Sequence, residues 1–243
     1  MGKLYVVGIG PGDEGSMTAA CRAALLEADI IVGYTKYVEL VTPLYTNKPT
    51  LATGMTREAD RCRAALERAA SGETVAVICS GDAGVYGMAG LIYELSADFQ
   101  PVDIEIIPGV TAALAGAALL GAPLTHDFAV ISLSDLLTPW ELIEKRLGHA
   151  AEADFCLALY NPASKKRADY LQKACDILLR HKTAETVCGL ARNIGRKEQN
   201  TEILKLSELR GASADMFTTI FVGNAQTRVI SGKIVTPRGY RLG

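Results

Sequence analysis

The chain has 243 residues, 49% apolar and 21% charged, with 25 Lys and Arg against 27 Asp and Glu for a net charge of −2. That length buries a large core as one domain or two, and the near-neutral balance gives no global field for nucleic acid or an anionic membrane, so an anionic ligand must be met locally. Six scattered cysteines without a C-x-x-C pair signal neither a resident metal nor a redox site, and no apolar run reaches the roughly 18 residues that span a bilayer.

The opening MGKLYVVGIG enters a strand directly, without the stages of a secretory leader, and sets the expectation of a cytoplasmic protein. Strands are predicted at KLYVVGI, DIIVGY, TVAVICS and VDIEIIP, with helices near 17–28, 57–71, 86–96 and 110–120. Ser16 or Thr18 is the expected N-cap of the first helix, and the glycine of ASGET the stop of the second. After Pro123 the pattern restarts with FAVISL, a helix near 139–152, ADFCLALY, a helix near 164–181 and TVCGLAR. TEILKL, MFTTIFV and TRVISGKIVTP then read as strands with little helix between them, SGK being a tight hairpin. The expected fold is α/β in two domains, residues 1–121 with a largely parallel sheet and 122–243 with a mixed one.

Three loops share one expected sheet edge. The first, Gly10-Pro11-Gly12-Asp13-Glu14-Gly15, has the G-x-G-x-x-G spacing of a dinucleotide loop. The next strand, however, ends in Gly33 and Tyr34 rather than an acidic residue for ribose hydroxyls, and Pro11 removes an amide donor. A tight strand-to-helix turn is the plainer reading of this loop alone. CSGDAGVYGMAG and IPGVTAALAG follow the third and fourth strands, and ligands of open α/β sheets bind beyond such strand ends. Asp82 is there as a ligand acceptor or as a helix cap.

These loops, GxGPG (Gly8, Gly10, Pro11, Gly12), SGDAGVYGMA and PGVTAA, make the chain resemble the tetrapyrrole methylases, two-domain enzymes that use S-adenosylmethionine. Within that family GAPLTHDFAVISLSDLLTPW, LALYNPASKKR and GLARNIGR are similar to the members that methylate C17 of precorrin-3B or its cobalt-containing counterpart, cobalt-factor III, in cobalamin biosynthesis. Other corrin-pathway methylases, acting at C11 or C20, and macromolecule methylases of the same fold are the alternatives.

The resemblance implies a cofactor folded in a cleft between the domains, released as S-adenosylhomocysteine, and a homodimer. It assigns Gly10, Pro11, Asp82, Val85, Tyr86, Thr111 and Ala112, with Tyr160, Asn161, Ala191 and Val222, to the cofactor. Tyr160 reads equally as a strand-end aromatic covering the core. Gly12, Arg192, Asn193 and Arg196 are assigned to the carboxylate-bearing macrocycle, whereas Lys165, Lys166 and Arg167 read better as solvated charges. In-line methyl transfer needs orientation rather than a nucleophilic side chain. The associated ring contraction needs proton management, for which His126, Ser132 and Asp135 are the candidates; His126 reads alternatively as a hydrogen bond between domains.

Overall fold

Successive residues of Lys3–Gly8 (β1) point to opposite faces of a sheet, and from Leu4 onward all are buried, the mark of a strand covered by helices on both sides. The computed structural model describes residues 2–164 and 168–241, which form two compact units, up to Ala112 and from Ala113 onward. In the first unit β1 is followed by Ala19–Glu27 (α1), Ile30–Tyr34 (β2), Thr35–Val41 (α2), Thr50–Thr53 (β3), Glu58–Ala70 (α3), Thr74–Cys79 (β4), Ala89–Ser96 (α4) and Asp103–Ile107 (β5). All five strands run parallel in the order β3-β2-β4-β1-β5. Leu4, Val6, Val75 and Val77 meet Cys62, Leu66 and Ile92 on one face. Tyr5, Val7, Ile31 and Ile78 meet Cys21, Leu25 and Val38 on the other.

Thr18, not Ser16, caps α1, its hydroxyl accepting the Cys21 amide at 3.0 Å. Gly72 at φ +105° ends α3 as the sequence implies. The sheet has five strands where the sequence suggested four. The additional α2 and β3 escape periodicity because one is seven residues long and the other is a four-residue edge strand without a buried residue.

In the second unit Ala112–Leu120 (α5), whose first residue still belongs to the first unit, leads into Gly121–Ala122 (β6), Phe128–Ser132 (β7), Trp140–Glu152 (α6), Cys156–Tyr160 (β8) and Tyr170–Leu178 (α7). Val187–Arg192 (β9), Asn200–Lys205 (β10), Leu206–Leu209 (α8), Thr218–Val222 (β11), Arg228–Ile230 (β12) and Lys233–Val235 (β13) complete it. The main sheet has the order β10-β9-β11-β8-β7 and is mixed, β7 running parallel to β8 and the other pairs antiparallel. A small sheet, β12-β13-β6, contains the SGK hairpin, whose Ser231 and Gly232 both have positive φ, as a tight two-residue turn requires. The chain passes from the first unit to the second between Ala112 and Ala113, at the start of α5.

On one face of the mixed sheet Leu157, Leu159, Cys188, Leu190, Ile220 and Val222 pack against α6 and α7. On the other, α5 lies so close that a Cβ on Gly116 would fall 2.8 Å from the Phe221 ring. Helix α7 starts at Tyr170, later than the predicted 164, and Lys165, Lys166 and Arg167 lie outside the described residues. No helix among the described residues is long and apolar enough to cross a membrane.

All six cysteines are free and buried. Burial disfavours the thiolate and pushes Cys21 and Cys79 up to about 11 and Cys62 and Cys175 up to about 12. We expect a thiol reagent at pH 8 to leave the native protein essentially unlabelled and to count six thiols once denaturant is added; fast native labelling would contradict this burial.

Candidate active site

The three glycine-rich loops of the first unit are tied together through their backbones at the carboxyl edge of the parallel sheet. Gly10 and Gly81 exchange two hydrogen bonds, Gly10 donating at 3.0 Å and Gly81 donating back at 2.8 Å. Both adopt positive φ, +75° and +71°, where other residues are strained. A Cβ on Gly109 would lie 2.1 Å from the Gly81 carbonyl oxygen and 2.6 Å from Gly8, so the loops after β1, β4 and β5 approach to backbone contact. These glycines make room for one another's backbones.

Asp82 locks the cluster. One carboxylate oxygen accepts the amides of Gly84 at 2.8 Å and Val85 at 3.0 Å, and the other accepts the amide of Gly109 at 2.9 Å. It is therefore not the cap of α4, which begins seven residues later. A carboxylate offers about four lone-pair sites, so three amide bonds leave acceptor capacity for a ligand ammonium or hydroxyl. Around it Val85, Thr111 and Ala112 are half-buried, Pro11 is buried and Gly12 half-buried. Tyr86 is held at φ +55° with its ring exposed, a backbone state that costs a bulky residue about 1–2 kcal/mol and clusters at functional loops. This glycine- and alanine-rimmed edge therefore presents a carboxylate with acceptor capacity to spare.

In the second unit the carboxyl ends of β7 and β8 bring several predicted residues together. Asn161 donates its side-chain amide to the Ser132 hydroxyl at 3.0 Å, and that hydroxyl accepts the Ser134 amide at 3.2 Å. Asp135 accepts the Tyr170 hydroxyl at 2.6 Å, the Tyr170 ring packs against Trp140 at 4.5 Å, and Lys173 lies 4.9 Å from the Tyr170 centroid. Tyr170, 35 residues from Asp135, had no local signal that could have paired it. Asn161 and Asn193, just after β8 and β9, both have left-handed φ, which asparagine tolerates better than most residues.

The other expected residues have the following surroundings. His126 lies two residues before β7 and Ser132 ends it; with about 3.3 Å of rise per residue the strand itself separates them by roughly 13 Å, so His126 does not join Ser132 and Asp135. The His126 ring accepts the Asp127 amide at 2.9 Å and is half-exposed. Val222 packs its side chain into the α6 and α7 core. The Tyr160 hydroxyl accepts the Ala113 amide at 2.7 Å and so caps the orphan donors that open α5. Ala191 is fully buried. Arg192 is engaged by Glu202 at 3.3 Å and the Ser213 carbonyl at 2.6 Å, and Arg196 stacks 5.1 Å over Phe217.

Parallel strands whose carboxyl-end loops converge on a glycine cluster, followed by a mixed-sheet unit, define the class, and comparison with known proteins agrees. The model of the family "Tetrapyrrole (Corrin/Porphyrin) Methylases" matches residues 3–210. The chain is 48% identical to a "Probable cobalt-factor III C(17)-methyltransferase" of Salmonella typhimurium, over 98% of this chain and 100% of the relative. It is 40% identical to a "Precorrin-3B C(17)-methyltransferase" of Sinorhizobium sp, over 98% and 97%. The crystal structure of the methyltransferase CobJ covers 98% of this chain and 100% of its own at 42% identity and a TM-score of 0.90. A uroporphyrin-III C-methyl transferase from Thermus thermophilus, complexed with S-adenyl homocysteine, shares the fold at 21% identity and a TM-score of 0.71, over 91% and 92%. The chain belongs to the tetrapyrrole methylase family.

Proposed function

We propose that this protein transfers a methyl group from S-adenosylmethionine to C17 of cobalt-factor III or precorrin-3B, with ring contraction, in cobalamin biosynthesis. The observation that carries the reading is the match along 98% of the chain to the Salmonella typhimurium relative at 48% identity. The knitted glycine edge around Asp82 supports it by offering a rim that suits the cofactor. The cofactor supplies an electrophilic methyl on a sulfonium, the electron pair of the breaking carbon–sulfur bond staying on sulfur while a macrocycle carbon forms the new bond.

The chain's own residues then orient and exclude water. Asp82 keeps the loops in register and offers its remaining lone pairs to a cationic group, while Val85, Thr111 and Ala112 line the rim beside it. Orientation of this kind is worth about 7–11 kcal/mol of barrier when reactants are held for attack, so no nucleophilic side chain is needed. For ring contraction, Asp135 with Tyr170 and Ser132 with Asn161 are the groups placed to hold or move a proton. Titration calorimetry tests the cofactor assignment: we expect S-adenosylhomocysteine to bind and NAD and ATP not to, and the reverse order would sink it. The proposal includes a homodimer in the cytoplasm, with sedimentation as the check on its assembly.

His126 lies outside this proton machinery. His126→Ala is expected to leave methylation and ring contraction within about twofold of the unsubstituted protein, because surface changes away from caps and cores cost within about 0.5 kcal/mol. A loss of a hundredfold or more in either activity would restore it to the machinery.

A further inference from the structure

Arg61 is 3% exposed, yet among the described residues no Asp or Glu forms an ion pair with it. Its Nε donates to the Thr53 hydroxyl at 2.8 Å, one terminal nitrogen to the Gly54 carbonyl at 3.1 Å and the other to the Met88 sulfur at 3.4 Å. The Tyr34 ring lies 6.0 Å away. A guanidinium has five N–H donors, so these bonds use three, and a thioether is among the weakest acceptors available. Arg61 also sits near the start of α3, where the helix dipole disfavours a cation. Its charge thus combines burial, an adverse dipole and neutral partners, an arrangement that ordinarily costs stability until an anion arrives.

Its place is informative. Tyr34 ends β2, Thr53 ends β3, and Met88 closes the same loop that begins with Gly81 and Asp82, all at the carboxyl edge of the parallel sheet. Met88 is the movable member of the set: an unbranched side chain whose sulfur occupies the position an oxyanion would take on the guanidinium. A carboxylate there gains a charge-assisted, bidentate partner in place of a thioether.

We propose that Arg61 determines specificity for the macrocycle by receiving one of its carboxylate arms, which displaces the Met88 sulfur. This rests on the tetrapyrrole substrate proposed above. The arginine's planar fork matters, so lysine is an incomplete substitute.

The test is a spectrophotometric titration of the full chain with cobalt-factor III beside a calorimetric titration with S-adenosylhomocysteine. Arg61→Met is expected to weaken macrocycle binding at least tenfold and Arg61→Lys several-fold, with cofactor affinity within twofold in both. Met88→Leu, which removes the placeholder sulfur at similar volume, is expected to bind the macrocycle as well as or better than the unsubstituted protein. If Arg61→Met does not fold, Arg61→Lys carries the comparison. Folded Arg61 variants that bind the macrocycle within twofold, or that lose cofactor and macrocycle equally, overturn the proposal. An unsubstituted protein that takes up S-adenosylhomocysteine but no tetrapyrrole overturns the substrate reading beneath it.

Discussion

Gly109→Ala is expected to destabilise the protein by about 3 kcal/mol or more and to abolish measurable binding of S-adenosylhomocysteine, since overpacking against immovable atoms lies at the upper end of its usual cost. The added methyl would fall 2.1 Å from the Gly81 carbonyl oxygen and 2.6 Å from Gly8, both backbone. Neither can turn aside as a side chain would, so two loops must separate, and with them the Asp82 bond to the Gly109 amide. Gly90→Ala is the matched control. Gly90 lies within α4 with nothing within 4 Å of the built Cβ, and gains about 0.5–1 kcal/mol from the lower entropy of the unfolded chain. Denaturant midpoints for the pair check the contrast; equal stability of the two variants would mean the loops are not in contact.

Asp82→Asn carries the second large effect. Asparagine retains one acceptor oxygen, which serves Gly84 and Val85, but turns an amide N–H₂ toward the Gly109 N–H, donor against donor. Leaving a part-buried donor unsatisfied costs about 1–3 kcal/mol, more where the lost acceptor was charged. We expect a stability loss in that range and at least a tenfold fall in affinity for S-adenosylhomocysteine. Asp82→Ala, which removes all three amide bonds, is expected to fall further on both counts. An Asn variant that binds the cofactor normally would reduce Asp82 to a loop brace.

The parallel sheet was legible because both-faced apolar strands such as TVAVIC alternate with helices whose ends carry Thr18 and Gly72, and each of those signals acts within a few residues. Strand β3 was not, since TLAT buries no residue of its own and takes its place only by pairing with β2. The glycine loops were recognisable as a group, but their mutual backbone contact joins residues about a hundred positions apart, which spacing does not encode. Asp82 stands out in the sequence as a polar residue among glycines, whereas its bond to Gly109 spans 27 residues and exists only in the fold. The two-residue period of a strand implies that Val222 and Phe221 face opposite ways, but not which face a cofactor would meet. His126 and Asp135 look close in THDFAVISLSD, yet an extended strand puts neighbours in sequence at opposite ends of a sheet. Arg61 gives no signal at all, because one of three arginines on an amphipathic helix reads as a surface charge until its burial is seen.

The central claim is a methyl transfer to one carbon of one macrocycle. Incubating the protein with S-adenosylmethionine labelled in its methyl carbon and with cobalt-factor III or precorrin-3B, then locating the label by NMR, tests it most directly. The account predicts a single new methyl, on C17 of a ring-contracted product. Label on another carbon, or no label in either macrocycle, would contradict it.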